Sequence, residues 1–226
     1  MMLPAWGRHA GLRHGFLDRA ESAAGSGDWA RALQAAGETL PIATVRQVHG
    51  VAVATADEPG VDADAVVTAR RGIAVGVVTA DCVPALLLAP RAGVVAAVHA
   101  GWRGASAGIL EASLARLADD FGVQPAEVEA VLGPAVGPCC YRVGREVETA
   151  FVARSGDTTA AAWRRDGEHL FLDMRLAVRR LLEAAGVGAV EVVGPCTACT
   201  SWLASYRRDG AGAGRQLSFV GWAEAT

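Results

Sequence analysis

The strongest constraint on the fold is a series of short, apolar and β-branched runs between residues 42 and 99. Turn residues such as Pro59-Gly60 and Arg71-Gly72 separate the runs, and the connections are too short to contain crossover helices. Several runs are apolar throughout, which indicates strands covered on both faces. The runs predict strands at residues 51–55, 65–68, 73–79, 83–88 and 94–99.

Helices are predicted outside this region. Asp28 is a suitable N-cap for a short helix over 29–36, and Asp173 is one for a longer helix that stops at Gly186. Leucines at helical spacing predict another helix that ends at Gly122. Further elements are expected at 128–132, 145–154, 190–193 and 217–222. Together these features predict one α+β domain over residues 1–226, with a mixed, largely antiparallel sheet flanked by helices.

Composition excludes several classes of function. The chain has 226 residues, 52% of them hydrophobic, so there is material for a sizeable core. The net charge is -3 and no basic block is present, which argues against a nucleic-acid partner. Charged residues interrupt segment 1–16, and no apolar run is long enough for a membrane span, so we expect a cytoplasmic protein. The five cysteines are an odd number, which favours reduced thiols.

Three potential metal ligands each follow an apolar run: His49, Cys82 and His99. We expect all three at strand ends, where side chains converge above a sheet. Two imidazoles and one thiolate suit zinc or copper, and three protein ligands leave a fourth position for water or substrate. Their wide separation matches no local ligand signature, so two satisfied histidines and an ordinary buried cysteine remain an alternative.

Cys82 and His99 also suit a hydrolase dyad. A thiolate beside an imidazole is an activated nucleophile, and the turn from Gly101 to Gly104 offers backbone donors for an oxyanion. Residue types do not separate this reading from a metal site.

Two short motifs are weaker. The G-x-S-x-G match centred on Ser106 lies too far after its strand to form a nucleophile elbow. Cys196 and Cys199 form a C-x-x-C without the upstream Glu motif of zinc deaminases or a second C-x-x-C, so we predict packing or loop residues.

A series of distinctive strings follows one another along the chain: Gln47-Val48-His49-Gly50, Asp62-Ala63-Asp64-Ala65, Thr79-Ala80-Asp81-Cys82, His99-Ala100-Gly101-Trp102-Arg103-Gly104, Leu132-Gly133-Pro134 through Cys139-Cys140-Tyr141, Cys196-Thr197, Ser205-Tyr206-Arg207-Arg208 and Gly214-Arg215. In this order they resemble the laccase-domain family, first called multicopper polyphenol oxidase and later purine nucleoside phosphorylase. The resemblance runs from about His14 to Trp222.

The resemblance implies zinc, with copper as an alternative, bound by His49, Cys82 and His99. It also implies a mixed-sheet α+β fold and the phosphorolysis of adenosine, inosine and methylthioadenosine, with adenosine deamination as a second activity. The partners would be a purine nucleoside and phosphate. The chain departs from the family pattern at residues 17–21, and the segment before Gln47 is short.

We assign further roles as hypotheses. Arg103 and Arg207 would hold phosphate through paired donors, and Gln47 would contact substrate. Asp81 would orient a ligand of the metal. The alternatives are a Cys82–His99 hydrolase of a cell-wall precursor, a copper-dependent polyphenol oxidase, and a metal-binding protein without enzymatic activity. One copper held by three ligands lacks the additional centres needed to reduce dioxygen to water.

Overall fold

The computed structural model describes residues 4–23, 25 and 27–224. Residues 1–3 of the segment considered for a leader, and residues 24, 26, 225 and 226 of the predicted domain, lie outside the described part. The helices are α1 (Arg19–Ala23), α2 (Trp29–Ala35), α3 (Trp102–Ala107), α4 (Ile109–Phe121), α5 (Arg145–Ser155), α6 (Met174–Ala184) and α7 (Tyr206–Asp209). The strands are β1 (Leu12–Phe16), β2 (Ile42–Ala43), β3 (Val53–Thr55), β4 (Ala65–Thr68), β5 (Ile73–Thr79), β6 (Val83–Ala89), β7 (Val94–Ala100), β8 (Glu129–Leu132), β9 (Arg142–Val143), β10 (Trp163–Asp166), β11 (His169–Leu172), β12 (Ala189–Val192) and β13 (Gln216–Trp222).

These strands form three sheets. The largest has the order β12-β8-β6-β7-β4-β3, a second has the order β1-β13-β5-β2, and a small third sheet has the order β10-β11-β9. Most neighbouring strands are antiparallel, but β12–β8, β2–β5 and β3–β4 are parallel. The predicted α+β class with a mixed, largely antiparallel sheet is therefore confirmed.

The two larger sheets pack face to face, with helices outside them. Leu86 and Leu88 of β6 join a buried cluster with Val75 and Val77 of β5. Because side chains alternate along a strand, Leu87 points the other way. It belongs to a second cluster that includes residues of α4, α5 and α6. Strands covered on both faces explain why their sequences are apolar without alternation.

Several predicted elements agree closely with the structure. The predicted ranges 65–68 and 73–79 coincide with β4 and β5, and Asp28 and Asp173 cap α2 and α6 through their side chains. Short connections favoured antiparallel neighbours, yet β3 and β4 pair in parallel without a helix between them. The strands β1, β2 and β9–β11 and the helices α1, α3 and α7 were not predicted, since most are short and lack a clear period.

Within the part of the chain that the structure describes, no helix combines the length and the apolar character needed to cross a bilayer.

Candidate active site

The strand register of the largest sheet brings the candidate ligands together. Cys82 directly precedes β6, and β6 is antiparallel to β7, so the start of β6 lies beside the end of β7, where His99 is opposite Pro84. Strand β4 flanks β7 on its other side with Ala65 opposite Val98, which places Asp64 next to His99. The backbone N–H of His99 donates to the Asp64 carbonyl at 2.7 Å. One edge of the sheet therefore carries three of the site's side chains.

The Asp64 carboxylate is fully buried and organises this edge. One oxygen lies 2.7 Å from Nδ1 of His99 and accepts the backbone N–H of His49 at 2.9 Å. The other accepts the N–H groups of Gly50 at 2.6 Å and Val48 at 3.3 Å. Successive backbone N–H groups that converge on one anion form a nest, and a charged acceptor strengthens each bond. Asp64 thus fixes both the His99 ring and the loop that presents His49.

His49 lies in this loop, not at a strand end as predicted. Its φ of 62° falls in the left-handed region, which costs a non-glycine residue about 1 kcal/mol or more. The three N–H bonds to Asp64 hold that conformation. The prediction was wrong for His49 because residues 45–48 form no regular strand, and a loop ordered by one distant carboxylate has no local signature.

The three candidate ligands have the geometry of a metal site. One donor atom each from His49, Cys82 and His99 can be chosen so that all lie within 4.8 Å of one another. Sγ of Cys82 is 4.0 Å from Nε2 of His49. Tetrahedral zinc with these ligands holds its donor atoms about 3.3–3.6 Å apart, so a small contraction completes the set. Since Nδ1 of His99 faces Asp64, its Nε2 is the nitrogen left for an ion, as in carboxylate–histidine–zinc arrangements.

Gly101 gives the ligands room. A Cβ at this position would lie 3.0 Å from Sγ of Cys82 and 3.0 Å from Cδ2 of His49, closer than most real contacts. A side chain here would crowd the thiol and the imidazole, so glycine lets the start of α3 pack closely against both candidate ligands.

Electrostatics favour ionised groups here. Burial raises the pKa of the Cys82 thiol, but hydrogen bonds from His49 and His99 outweigh it and lower the pKa to about 7. Burial lowers the pKa of His99, but its hydrogen bonds to Asp64 and Cys82 raise it to about 9. Burial also opposes ionisation of Asp64, yet its bonds with His99 and the loop N–H groups hold its pKa below the ordinary value. Without metal, the site therefore favours a thiolate–imidazolium pair near neutral pH.

A cavity of about 560 Å³ opens beside the ligands, a size that suits a small organic molecule. Three arginines line it, Arg103, Arg207 and Arg215, together with one carboxylate, that of Asp81. The cavity thus carries an excess of cationic groups beside the candidate metal ligands, which suits an anionic or phosphate-bearing ligand.

Two of these arginines lie against aromatic rings of the cavity. The guanidinium carbon of Arg103 is 4.4 Å from the ring centroid of Trp102, and that of Arg207 is 5.2 Å from the ring of Tyr141. Arg207 also donates to the Arg142 carbonyl at 3.1 Å. Burial raises the pKa of Tyr141 to about 12, so its hydroxyl stays protonated at neutral pH.

Asp81 and Gln47 make structural contacts as well as lining the cavity. Asp81 has a φ of 91°, and its carboxylate accepts from the Thr197 hydroxyl and the Arg207 backbone N–H, both at 2.5 Å. Gln47 exchanges two hydrogen bonds of 2.7 Å with the backbone of Val78. The carboxylate that contacts the imidazole of a candidate metal ligand is that of Asp64, whereas Asp81 holds Thr197 and Arg207 together at one wall of the cavity.

All residues predicted for the site line this cavity: Gln47, His49, Asp81, Cys82, His99, Arg103 and Arg207. Asp64 and Tyr141 received no role from the sequence. A carboxylate immediately before the apolar start of β4 was the available signal for Asp64. Ser106 lies inside α3 and donates to the Arg103 carbonyl, so the G-x-S-x-G match is helical and forms no elbow.

Comparisons with known proteins place these features in context. A family model described as multi-copper polyphenol oxidoreductase laccase matches residues 10–223. A purine nucleoside phosphorylase of Deinococcus radiodurans is 38% identical over 180 residues, which are 79% of this chain and 69% of that protein. The purine nucleoside phosphorylase PA4543 of Pseudomonas aeruginosa is 44% identical over 165 residues, 72% of this chain and 66% of that protein. The crystal structure of Neisseria meningitidis protein NMB0706 superposes with a TM-score of 0.80 at 32% identity, covering 95% of this chain and 96% of that one.

Replacing Asp64 with Asn is expected to weaken zinc binding about 10–100-fold. The amide lacks the negative charge that faces His99. Its NH2 group is itself a hydrogen-bond donor and would face the N–H donors that the carboxylate accepts. Competition against a chromophoric chelator measures the affinity, and the melting temperature of the metal-free protein shows whether the variant is folded. Asp62→Asn is the matched control, since that exposed side chain pairs with Arg46. A folded Asp64→Asn protein with wild-type affinity would contradict the assignment.

Zinc affinity is expected to rise with pH across the neutral range. A bound ion requires Cys82 and the facing nitrogen of His99 to be deprotonated, and their pKa values without metal are about 7 and about 9. The logarithm of the association constant should therefore rise by about one per pH unit between these values and more steeply below them. Zinc titrations corrected for protonation of the competing chelator measure this slope. An affinity independent of pH would exclude the thiolate and imidazole as ligands.

Proposed function

The chain belongs to the multi-copper polyphenol oxidoreductase laccase family, and from this premise we propose that it is a zinc-dependent purine nucleoside phosphorylase. The substrates would be adenosine, inosine and methylthioadenosine, each with phosphate. The observation that carries the proposal is the juxtaposition of the His49–Cys82–His99 set with arginines in one cavity. Relatives named purine nucleoside phosphorylase support it.

The reaction needs an oriented phosphate. A phosphate oxygen forms a bond to the anomeric carbon while the glycosidic bond breaks, and the base leaves with the electron pair and takes up a proton. Arg103 and Arg207 would hold the phosphate through paired N–H donors and orient its attacking oxygen. Their positions against Trp102 and Tyr141 restrict the guanidinium groups, so less side-chain freedom is lost on binding. His49, Cys82 and His99 would hold a Lewis-acidic ion, which would supply polarisation of an oxygen of phosphate or sugar, or of the water in deamination.

The same cavity offers contacts for the nucleoside. The rings of Tyr141 and Trp102 provide apolar area for a purine, and the neutral Tyr141 hydroxyl can donate a hydrogen bond. Gln47 would act mainly by holding the end of β5 in place, because both ends of its amide are bonded to Val78. Asp81 would keep Arg207 and Thr197 at the cavity wall.

We also propose adenosine deamination as a side reaction. Water would replace the exocyclic amine, which leaves as ammonia. Three protein ligands would leave one coordination position free for water, which supports this proposal. Adenosine incubated without phosphate would give inosine, whereas phosphorolysis gives adenine and ribose 1-phosphate. The two reactions are therefore separated by their products.

A Cys82–His99 hydrolase is the second candidate, favoured by the hydrogen bond between Cys82 and His99 and by the 2.7 Å contact of His99 Nδ1 with the Asp64 carboxylate. Its substrate class would be a cell-wall precursor. Activity on such a precursor that survives complete removal of metal and is lost on alkylation of Cys82 would favour this candidate over the phosphorylase.

Purified zinc-loaded protein is expected to convert inosine and phosphate to hypoxanthine and ribose 1-phosphate. Arg103→Ala should lower kcat/KM for phosphate about 10–100-fold, because a hydrogen bond between charged groups contributes about 1.5–3 kcal/mol. Arg91→Ala is the matched control, since Arg91 is exposed in the turn at the opposite end of β6 from Cys82. Absence of ribose 1-phosphate with every candidate nucleoside, at full metal loading, would overturn the proposal.

A further inference from the structure

Four cysteines outside the cavity converge at one edge of the largest sheet. The sequence offers no second C-x-x-C motif to complement Cys196 and Cys199, but the fold supplies the adjacent pair Cys139 and Cys140. Strands β8 and β12 are parallel neighbours, so the loops that follow them leave the sheet side by side. A parallel bridge between Ala135 and Cys196 continues this pairing into the loops.

The four sulfur atoms are arranged as if around one small centre. All four lie within 4.8 Å of one another. Sγ of Cys199 is 3.4 Å from Sγ of Cys140 and 3.6 Å from Sγ of Cys139. Thiolates bound tetrahedrally to one zinc ion at about 2.3 Å are about 3.8 Å apart. The four cysteines are free thiols, since disulfide sulfurs are bonded at about 2.05 Å.

The backbone around the thiols also suits a bound cation. The N–H of Gly137 donates to Sγ of Cys196 at 3.1 Å, a contact that stabilises a thiolate and orients it. A Cβ on Gly137 would lie 3.1 Å from Cβ of Cys196, tighter than most real contacts, so glycine lets this loop approach the Cys196 side chain closely.

The ionisation of the thiols is uneven without a cation. Burial raises the pKa of Cys196, but the N–H groups of Gly137 and Cys199 outweigh it and lower that pKa. Burial and the neighbouring sulfurs raise the pKa of Cys139 and Cys140. Crowded thiols cannot all ionise unless a cation compensates their charge.

We propose that Cys139, Cys140, Cys196 and Cys199 form a second metal site that binds one zinc ion. Four thiolates around one centre are a ligand set typical of structural zinc. Binding replaces the thiol protons by the ion and releases them to solvent. Because all four positions are filled by protein, the ion has no open position for substrate.

The ion would stabilise the wall of the cavity that includes Tyr141 and Asp81. Tyr141 directly follows Cys140, and Thr197 directly follows Cys196 and donates to Asp81. The Arg208 guanidinium donates to the Thr197 and Thr200 carbonyls, both at 2.9 Å, which closes the same loop around the C-x-x-C segment. A zinc ion would therefore link the loop of Tyr141 to the loop that holds Asp81.

The test is zinc stoichiometry in reduced, metal-stripped protein reloaded with zinc and freed of excess. Elemental analysis should give two zinc ions per wild-type chain and one for the double variant Cys196→Ser/Cys199→Ser. His49→Ala should also retain one, and the combination of all three substitutions none. Ser201→Ala, in the same loop, is the matched control and should retain two. Melting temperatures of the metal-free forms show that each variant is folded.

Cobalt substitution identifies the ligands. The sulfur-to-cobalt charge-transfer absorption of wild-type protein should survive largely intact in His49→Ala, which keeps four thiolates, and fall several-fold in the Cys196→Ser/Cys199→Ser variant, which keeps one. One zinc ion per wild-type chain, unchanged by these serine substitutions, would overturn the proposal. A disulfide among the four cysteines in anaerobically purified protein, shown by intact mass, or bound iron with inorganic sulfide would overturn it too.

Discussion

The site depends on the hydrogen bonds that the buried carboxylate of Asp64 accepts. An unpaired buried charge destabilises a fold by several kcal/mol, so this carboxylate must be surrounded by donors to exist there at all. The donors come from two sources, the His99 imidazole and three consecutive N–H groups of residues 48–50. The hydrogen bonds that compensate this charge therefore also hold the His49 loop next to His99. The same contacts stabilise the fold and position two candidate metal ligands.

The side chains around Asp64 come from two parts of the fold, the central strands of the largest sheet and more peripheral segments. His99 and Cys82 stand in or beside the two central strands of the largest sheet, where the backbone is fixed by a ladder on each side. Tyr141 and Thr197 instead come from loops that follow a near-edge and an edge strand, and Arg207 comes from the short helix α7. The positions of His99 and Cys82 are thus set by the sheet and that of His49 by its bonds to Asp64, whereas contacts of Asp81 hold the cavity wall together.

Much of the fold could be predicted from local patterns, because buried strands and capped helices leave direct traces in sequence. The ranges of β4 and β5 and the caps of α2 and α6 follow from such traces. The convergence of His49, Cys82 and His99 could not be derived from spacing, since it is produced by strand register and by one bridging carboxylate. The family resemblance supplied that grouping. The proximity of Cys139 and Cys140 to Cys196 and Cys199 was missed for the same reason, because parallel pairing of β8 with β12 has no local signal.

The sheet edge that carries Asp64, Cys82 and His99 is assembled from β4, β6 and β7, and this determines when during folding a metal ion can bind. Residues that meet there are far apart in the chain, and such non-local contacts form late in folding because loop closure must come first. A zinc finger uses its ion to drive the collapse of the chain, but here the sheet itself must exist before His99, Asp64 and the His49 loop are adjacent. Metal acquisition is therefore expected to follow folding rather than cause it. Metal-free protein would then already hold its sheets, and an ion would enter a site that is fully formed.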